Sequence, residues 1–499
     1  MQLRDYQAAA VEAVARKLTQ HKKVVFQLAT GGGKTITFSA IAKRYIEKAG
    51  KAVLILVHRK ELLQQTRKTL FQFAGINSQV IIAGMKTVPV APVYVGMVES
   101  VNRRIDRLKN IGLVIIDEAH NLSFAKMHEH FPEQMIIGFT ATPLTSNKAK
   151  PLKNYYQDIV CGVDIPDLIK MGSLCQNITY APKNVDPKTL AIKAGEFDEK
   201  LMAMEFSKPK HVATAVEAFA KYAPGTKALI FNCNIEHSKL VNDAFNLAGY
   251  NSRHLDSYME DKERDEIIKW FLATPDAILN NVAILTTGFD APDTETIIMN
   301  RATLSLPLWL QCTGRGSRPT EAKKLFTIID LGGNVTMHAD WCESRDWENI
   351  FFNPPKQGKP GVAPVKSCPE CDAMLAARTM VCQYCGHEFP PPEIELAEKL
   401  EDFIVVTKGV NVQELIEANR DKKEYYPFFQ IGTQLAASAK YTIREMNEET
   451  YTFILQQYFL KGKEWCKEKG KKFNQWHQER AAENLQIELQ KHFKAWKPE

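Results

Sequence analysis

The sequence predicts an α/β protein with two successive parallel sheets, followed by a small cysteine-based module and a mainly helical C-terminal region. Three observations carry this prediction. Over residues 1–345, short apolar runs alternate with apolar residues at helical spacing, which favours parallel sheets with helices on both faces. Four cysteines cluster within residues 368–385. After 390-PPP-392 the pattern is mainly helical.

Composition places the chain among ordinary globular proteins. Its 499 residues are 45% hydrophobic and 24% charged, enough for two or three domains. No apolar run reaches the roughly 18–20 residues of a membrane span, and residues 1–18 lack an export-type apolar core. Four of the ten cysteines cluster and six are scattered, which is not a disulfide framework and predicts a reducing, cytoplasmic location. The lack of a long apolar run predicts no membrane contact. The net charge of +6 permits a polyanionic partner.

The run 27-QLATGGGKTITF-38 is typical of a phosphate-binding loop. Residues 24–29 predict a buried strand, and residues 35–49 predict a helix. Consecutive glycines let backbone N–H groups converge on phosphate oxygens at a helix N-terminus. Lys34 would reach the β- and γ-phosphates and Thr35 would bind Mg²⁺, although Leu28 replaces the first glycine of the strict pattern. The predicted nucleotide-binding residues of this loop are Thr30, Gly31, Gly32, Gly33, Lys34 and Thr35.

A second apolar run, 112-GLVIIDEAHNL-122, predicts a buried strand that ends in carboxylates, where open α/β sheets place their chemistry. Asp117 is positioned to hold Mg²⁺, and Glu118 to polarise the attacking water. The alternative, a strand followed by an ordinary polar turn, loses weight because a phosphate loop precedes it. A third strand, within 136-IIGFTATPLT-145, ends in hydroxyl residues that suit a relay from the γ-phosphate.

The second half of the chain supports a second parallel sheet. Segments 227–232, 282–287, 296–300 and 325–330 predict buried strands. Helical patterns such as residues 210–223 alternate with them.

Taken in order along the chain, seven motifs resemble those of the superfamily-two helicases. They are 28-LATGGGKT-35, 53-VLILVHRKELLQQ-65, 93-VYVGMVESVNRR-104, 117-DEAH-120, 140-TATP-143, 283-AILTTGFDAP-292 and 311-QCTGRGSR-318. In that family two RecA-like domains hold ATP and Mg²⁺ between them, so the resemblance implies ATP hydrolysis by two tandem RecA-like domains. The segment 3-LRDYQ-7 is similar to the family's motif that places a glutamine, here Gln7, against adenine.

The resemblance also assigns roles to residues of the second domain. Charge builds on the γ-phosphoryl oxygens in the transition state, so a guanidinium from across the cleft lowers the barrier only when the domains close. Arg315 and Arg318 would face the phosphates, with Arg318 the better candidate for the arginine finger. The alternative is a pair of solvated surface arginines. By the same resemblance, Gly288, Asp290 and Gln311 belong to the nucleotide site.

The resemblance further implies a nucleic-acid track with sequence-tolerant, salt-sensitive contacts to phosphates. The candidate residues are His58, Arg59, Lys60, Ser100, Arg103 and Thr287. The DEAH, TATP and QCTGRGSRP motifs look more like the family branch that acts on DNA, most closely the bacterial RadD-type repair proteins or a phage-encoded relative. The resemblance therefore implies DNA rather than RNA as the partner, with single-strand-binding or recombination proteins as further partners.

Residues 368-CPECDAMLAARTMVCQYCGHEF-389 predict a zinc ribbon. Two C-x-x-C knuckles, ten residues apart, would set four thiolates around Zn²⁺ in a closed structural site. The predicted ligands are Cys368, Cys371, Cys382 and Cys385. A redox pair and an iron–sulfur cluster are the alternatives, and neither explains two matched knuckles as well. Gly386 is expected to let the second knuckle turn, with Phe389 packed beneath it and His387 a bystander.

The last segment, residues 461–498, mixes lysines with aromatic residues, and two interpretations stay open. The favoured one is a pair of helices whose aromatic rings pack inward while the lysines stay hydrated. The other is an accessory surface for nucleic acid or a partner protein, because aromatic rings stack on bases and lysines neutralise phosphates. The aromatic residues concerned are Trp465, Phe473, Trp476, Phe493 and Trp496.

These features predict six segments and one leading function. The segments are a RecA-like domain at 1–165, a connecting segment at 166–204, a second RecA-like domain at 205–352, a linker at 353–365, the zinc ribbon at 366–392 and a helical region at 393–499. The leading function is an ATP-dependent nucleic-acid translocase or helicase. Alternatives are the motor subunit of a restriction or defence system and a nucleic-acid-binding scaffold with weak ATPase activity.

Overall fold

The computed structural model divides into two compact units, residues 1–389 and 390–499. It describes residues 2–145, 147, 149–182, 190–193, 195–282, 284–285, 289, 291–354, 365–377, 379–389, 412–442, 446 and 448–493. No helix within these ranges is both long enough and apolar enough to cross a lipid bilayer.

The first lobe is built on a seven-stranded parallel sheet in the order β3-β4-β2-β5-β6-β1-β7. Its strands are β1 (Lys23–Gln27), β2 (Ala52–Val57), β3 (Gln79–Ile81), β4 (Val93–Met97), β5 (Ile111–Asp117), β6 (Met135–Thr140) and β7 (Asp158–Cys161). β2 and β5 are buried along their whole length, as expected for strands of a parallel sheet covered on both faces. Because the strands are parallel, the segments that follow β1, β5 and β6 meet at one edge of the sheet.

Helices cover this sheet. They are α1 (Asp5–Lys17), α2 (Lys34–Ala49), α3 (Lys60–Thr69), α4 (Val98–Asn102), α5 (Met127–His130) and α6 (Ile165–Lys170). The helix predicted from residues 35–49 is therefore present as α2. It ends at Gly50, whose φ of +63° is the left-handed conformation that closes many helices.

The second lobe contains a six-stranded parallel sheet in the order β12-β13-β11-β14-β15-β8. The strands of this part of the chain are β8 (Gln176–Tyr180), β9 (Ile192–Lys193), β10 (Glu196–Phe197), β11 (Ala228–Asn232), β12 (Ser252–Leu255), β13 (Ile278–Asn281), β14 (Thr296–Asn300) and β15 (Leu325–Asp330). β9 and β10 form a separate antiparallel pair. The helices are α7 (Glu199–Phe206), α8 (Pro209–Tyr222), α9 (Ile235–Leu247), α10 (Asp261–Ala273), α11 (Leu306–Thr313), α12 (Asn334–His338) and α13 (Trp347–Phe352). The predicted fold class, two parallel-sheet α/β lobes in tandem, is confirmed.

One predicted strand lies at a different place. The run 282–287 was expected to form a strand, whereas the strand is β13, and residues 284–285 form a turn. β13 ends in Asn280 and Asn281, residue types typical of turns. Their amide nitrogens find acceptors inside the lobe, since Asn281 Nδ2 donates to Ile230 O over 2.9 Å and Asn280 Nδ2 donates to Ser252 Oγ over 2.9 Å.

Two predicted boundaries of the second lobe also differ from the structure. β8 lies inside the segment expected to be a connector, 166–204, yet it pairs in parallel with β15 and belongs to the second sheet. At the other end, α13 falls within the predicted second domain, 205–352, but Phe351 is buried in the core of the first lobe and Lys153 Nζ donates to Phe352 O over 2.7 Å. Both elements are held by partners far away in the sequence.

The cysteine-based module belongs to the first compact unit. It contains an antiparallel pair, β16 (Val365–Ser367) and β17 (Met374–Ala376), and a bridge between Val381 and Glu388. Residues 390–392 of the predicted ribbon lie outside the described residues.

The second unit contains α14 (Val412–Ala418), α15 (Tyr426–Thr442), α16 (Glu448–Glu468) and α17 (Gln475–Gln490). Its core includes Trp465, while Phe473 and Phe493 pack partly buried against that core. This is the inward packing that the sequence favoured. Trp476 is 41% exposed, and Trp496 lies outside the described residues.

Candidate active site and cysteine cluster

The phosphate loop joins β1 to α2 and has a backbone shape that glycine allows. Gly31 and Gly33 have φ values of +83° and +87°, in the left-handed region. A Cβ on Gly33 would overlap Gln7 Nε2, so Gln7 packs directly on the loop. Tyr6 donates its hydroxyl hydrogen to Gly32 O over 3.0 Å. The first turn of α1 and the phosphate loop thus pack directly on each other.

Leu28, which replaces the first glycine of the strict motif, lies beneath the loop. Its side chain is 1% exposed, and a Cβ on Gly32 would lie 2.8 Å from Leu28 Cγ. Lys34 is the first residue of α2, and its ammonium donates to Leu28 O over 3.2 Å. The leucine side chain therefore packs on the core side, and its carbonyl contacts the ammonium of the loop lysine.

β5 delivers two adjacent carboxylates to the same edge of the sheet. Asp117 is 5% exposed at the end of the strand, and Glu118 N donates to Asp117 Oδ1 over 3.1 Å. Glu118 has a φ of +52°, an unusual conformation for a residue with a side chain, which costs about 1–2 kcal/mol. Ala119 N donates to Phe139 O over 2.9 Å and so holds this turn against β6. Such strain clusters at functional sites.

The two carboxylates have pKa shifts in opposite directions. Burial, together with the charge of Glu118, raises the pKa of Asp117 to about 7. Burial would also raise the pKa of Glu118, but the positive charges of Lys34, His120 and nearby groups outweigh it and hold that pKa below its usual value. Glu118 Oε2 is buried and accepts no hydrogen bond from the described residues, and His120 Nδ1 lies 3.4 Å from it. The lowered pKa of Glu118 thus favours its ionised form.

Two arginines from the second lobe complete this site. A cavity of about 270 Å³ lies between the lobes, and both guanidinium groups are buried there, which lowers their pKa values. Arg315 NH1 also donates to Phe289 O over 2.6 Å. The residues that line the cavity are Thr30, Gly31, Gly33, Lys34, Thr35, Ile36, Leu62, Gln65, Thr69, Asp117, Glu118, Phe289, Arg315 and Arg318. The structure therefore brings all five predicted catalytic residues to one cavity.

The lobes are in direct contact at the phosphate loop. A Cβ on Gly31 would lie 3.4 Å from Ser317 Oγ and 3.8 Å from Arg318 Cγ. A Cβ on Gly314 would lie 3.2 Å from Thr30 Cβ. Because both contacts involve glycine, the loop of the first lobe and the arginine loop of the second approach each other closely.

A chain of hydrogen bonds crosses between the lobes beside the cavity. Gln311 Nε2 lies 3.2 Å from His120 Nε2, and His120 Nδ1 lies 2.9 Å from Thr140 Oγ1. Thr140 Oγ1 donates to Thr142 O over 2.9 Å. Gln311 was expected at the nucleotide, but it contacts His120 and does not line the cavity. Thr140, the hydroxyl residue that ends β6, thus contacts the second lobe through His120, a residue that the sequence did not single out.

Other predicted nucleotide-site residues fall in two groups. Gln7 and Gly32 belong to the packed base of the loop rather than to the cavity lining. Gly288 and Asp290 lie outside the described residues, as does Thr287 of the predicted nucleic-acid track.

The remaining predicted nucleic-acid contacts differ in exposure. Lys60 and Arg103 are exposed. Arg59 is half-buried and its NH1 donates to Ile284 O over 2.8 Å, which links the two lobes. Ser100 is only 8% exposed, so the hydroxyl that was expected to meet a phosphate is packed inside the lobe.

His58 was also expected on the nucleic-acid track, but the structure turns it inward. Its ring packs edge-on against Phe124 with 6.5 Å between the ring centroids, and its Nδ1 is buried without a hydrogen bond from the described residues. Burial lowers its pKa, and the charge of Glu118 opposes this shift. His58 thus belongs to the surroundings of Glu118.

The sequence reasoning missed one group of cavity residues on α3. Leu62, Gln65 and Thr69 line the cavity beside the phosphate loop. They are spaced three and four residues apart, which places them on one face of a helix. The sequence 60-KELLQQTRKT-69 contains this helical spacing, which could have indicated a shared face. The resemblance, however, assigned the start of this segment only to the nucleic-acid track.

The four predicted cysteine ligands converge in the ribbon. Cys368 Sγ lies 3.6 Å from Cys385 Sγ, and Cys371 Sγ lies 3.7 Å from Cys382 Sγ, with all four sulfurs within 4.8 Å of one another. Four thiolates at about 2.3 Å from a tetrahedral zinc are about 3.8 Å apart. The donor set and the sulfur separations therefore fit a Zn²⁺ ion.

The two knuckles have the same backbone turn. Asp372 and Gly386 each follow the second cysteine of a knuckle, and their φ values are +59° and +77°. The expected turn at Gly386 is present, and Phe389 packs against the cysteine cluster as expected. His387 is not among the converging ligand groups.

The ribbon docks on the second lobe. Tyr384 donates its hydroxyl hydrogen to Asn177 O, on β8, over 2.7 Å. Asp372 pairs with Lys221 Nζ at 2.9 Å and accepts from the Tyr222 hydroxyl at 3.2 Å. The sequence contained no signal for this contact, because its partners are more than a hundred residues apart.

Comparisons with known proteins agree with this architecture. The family "Type III restriction enzyme, res subunit" matches residues 1–145, and the family "Helicase conserved C-terminal domain" matches residues 208–320. A 51.5 kDa protein of a Lactococcus phage is 30% identical over 381 residues, which is 76% of this chain and 80% of the phage protein. The chain therefore belongs to the superfamily-two helicases, and it is an ATP hydrolase of that class.

Two further similarities are more partial. IRC3 of Saccharomyces cerevisiae, named as an ATP-dependent helicase, is 30% identical over 355 residues, which is 66% of this chain and 51% of the yeast protein. This chain thus spans about half the length of that relative. A fragment of an HsdR subunit of a type I restriction enzyme from Vibrio vulnificus has a TM-score of 0.55 at 23% identity, over 70% of this chain and 67% of the fragment. That likeness shows a shared fold.

Proposed function

We propose that this chain is an ATP-driven DNA translocase or helicase that acts in repair or recombination, and that it is of the RadD type. The observation that carries the proposal is the placement of Arg315 and Arg318 in one cavity with Lys34 and Glu118. Groups from two lobes meet there, so the completeness of the site depends on how the lobes lie against each other. A reaction that needs both lobes is suited to driving movement.

Each residue has a distinct part in the proposed hydrolysis of ATP. Lys34 and the N–H groups of the loop bind the β- and γ-phosphates. Thr35 and Asp117 would hold Mg²⁺, which would offset the negative charge of the phosphates. Glu118, as an ionised carboxylate, would accept a hydrogen bond from the attacking water and orient it. Arg318 stabilises the charge that develops on the γ-phosphoryl oxygens.

The proposed coupling to nucleic acid runs through interlobe contacts. The hydrogen bonds from Gln311 to His120 and from Arg59 to Ile284 O join the lobes next to the cavity. Arg59 directly precedes Lys60, an exposed candidate for a phosphate contact. A change in the separation of the lobes would therefore alter the hydrogen bonds around Glu118 and the position of Lys60 together.

DNA is proposed over RNA from the motif pattern. The combination of DEAH at 117–120, TATP at 140–143 and QCTGRGSRP at 311–319 resembles the DNA-acting branch. Phosphate contacts through residues such as Lys60 and Arg103 carry no base information, so binding would be sequence-tolerant and salt-sensitive. Single-strand-binding or recombination proteins are the proposed protein partners, in a reducing, cytoplasmic setting.

The cysteine cluster is proposed to hold one structural Zn²⁺. Four thiolates fill a tetrahedral zinc site completely, which leaves no position for a substrate. The metal would fix the two knuckles, and with them the surface through which Tyr384 and Asp372 contact the second lobe.

A second candidate function is the motor subunit of a restriction or defence system. The match of residues 1–145 to the restriction-enzyme res subunit favours it. Within the part of the chain that the structure describes, however, the four cysteines are the one group of three or more metal-binding side chains. Cleavage of DNA would then need a separate subunit.

Steady-state ATP turnover with different nucleic acids tests the proposal. Equal nucleotide concentrations of single-stranded DNA, double-stranded DNA, forked DNA and RNA would be compared with no nucleic acid. We expect stimulation by DNA at low salt that falls steeply as salt rises, because counterions compete for the phosphate contacts. Stimulation by RNA alone would contradict the DNA assignment. Turnover that is unaffected by any nucleic acid would contradict the motor, and DNA cleavage by the purified chain would favour a nuclease instead.

A further inference from the structure

Lys323 is a buried lysine that no step described above uses. It is 5% exposed, and its ammonium donates to Thr294 O over 2.7 Å and to Gly316 O over 2.9 Å. Burial lowers its pKa to about 8. An ammonium away from water is costly unless its hydrogens are bonded, and the nearby carboxylate of Asp293 is already paired with Lys227. Two backbone carbonyls thus stabilise this group.

The two carbonyls belong to two segments that flank the nucleotide cavity. Gly316 belongs to the loop that carries Arg315 and Arg318. Thr294 lies five residues after Phe289, which lines the cavity. Arg315 NH1 donates to Phe289 O over 2.6 Å, so the same two segments are also joined on the cavity side. Lys323 therefore joins the same two segments through a second set of hydrogen bonds, to Thr294 O and Gly316 O.

The arginine loop, residues 314–318, contains a short helical turn over Gly314–Gly316. Within the loop, Ser317 Oγ donates to Gly314 O over 2.8 Å. A Cβ on Gly316 would overlap the Phe326 ring, so the loop packs tightly there but offers no side chain of its own. Cys175 N donates to Ser317 O over 2.7 Å. Gly316 O is bonded to Lys323, one residue from Arg315 and two from Arg318.

We infer that Lys323 is a positioning residue for the arginine loop, because its ammonium fixes Gly316 O against Thr294 O and thereby holds Arg315 and Arg318 at the γ-phosphate. The inference rests on the proposed function, since it concerns the same hydrolysis of ATP. The arginines act most strongly on charge that develops in the transition state. A loosened loop therefore lowers kcat more than it raises KM for ATP.

Lys323→Met tests the inference, because methionine has a similar length and removes both donors. We expect kcat for ATP to fall by about tenfold to a hundredfold, since a displaced catalytic group costs rate steeply. KM for ATP should change by less than about threefold. Lys324→Met is the matched control, because Lys324 is exposed and adjacent, and it should turn over ATP like the wild type.

A double-mutant cycle with Arg318→Ala separates positioning from general destabilisation. If Lys323 acts through the arginine loop, Lys323→Met should slow hydrolysis clearly less in the Arg318→Ala background than in the wild type, because only Arg315 then remains to be displaced. Equal losses in both backgrounds would overturn the inference. Should Lys323→Met not fold, Lys323→Gln carries the same cycle with the same outcomes. A wild type without ATP turnover would instead refute the proposed function, whereas wild-type rates in Lys323→Met would refute only the role of Lys323.

Discussion

At the scale of the residue, the chemistry depends on two adjacent carboxylates in different states. Glu118 is held in its ionised form by surrounding positive charge, and the buried Asp117 has a pKa raised to about 7. A Mg²⁺ ion beside Asp117 would supply the positive charge that favours its ionised form.

Glu118→Gln should slow hydrolysis by about 10²–10⁴-fold, because an amide has the same shape but is a far weaker base. Nucleotide binding should persist, since the phosphate loop and Asp117 are unchanged. Single-turnover hydrolysis and fluorescent-nucleotide binding measure the two effects separately. Glu129→Gln, at an exposed position of the same lobe, is the control. A fully active Glu118→Gln variant would show that another group orients the water.

Residues at strand ends could be predicted, whereas residues that act through long-range contacts could not. Lys34, Asp117 and Glu118 are adjacent to clear apolar runs, so the sequence located them. Gln311 and Lys323 depend on contacts with His120 and Gly316 O, and no local pattern reveals those pairs.

At the scale of the element, strands with continuous apolar runs were predicted closely. β15 coincides with its expected segment, and β5 begins one residue before its own, at Ile111, because both strands are marked by their own apolar residues. β8 could not be assigned in this way, because it has no continuous apolar run and its residues alternate between buried and half-buried. Its place in the sheet depends on pairing with β15, which is far away in the sequence. The strand expected at residues 282–287 lies instead at β13, Ile278–Asn281. Its last two residues, Asn280 and Asn281, are of a type that is common in turns, so their sequence does not indicate a strand.

The ribbon is the element whose stability would depend most on the proposed metal. This module has two short strands and a small apolar cluster that consists in part of the cysteines themselves. Because such a module has little hydrophobic core, bound zinc would supply much of its folding free energy. Purified protein should contain about one zinc per chain by elemental analysis. Cys382→Ser should lower that content and the thermal midpoint, while Cys466→Ser, at a buried cysteine of the other unit, should leave the zinc content unchanged. Iron, or no metal, in the wild type would contradict the zinc assignment.

At the scale of the whole molecule, the site exists only where the two lobes meet. The first lobe supplies the phosphate loop and the carboxylates, and the second supplies the arginine loop. The order of seven motifs along the chain was enough to predict this division. The ribbon's contact with the second lobe was not predictable, because it joins surfaces that only the folded chain brings together.

The most direct test of the interlobe site is Arg318→Ala, with ATP hydrolysis and nucleotide binding measured on the same preparation. Arg318 belongs to the second lobe and lines the cavity opposite the phosphate loop. We predict that hydrolysis falls by about 10³-fold or more, the range for an arginine finger, while nucleotide binding is largely retained and Lys324→Ala behaves like the wild type. Hydrolysis at the wild-type rate in Arg318→Ala would contradict the account, because the first lobe alone would then suffice for catalysis.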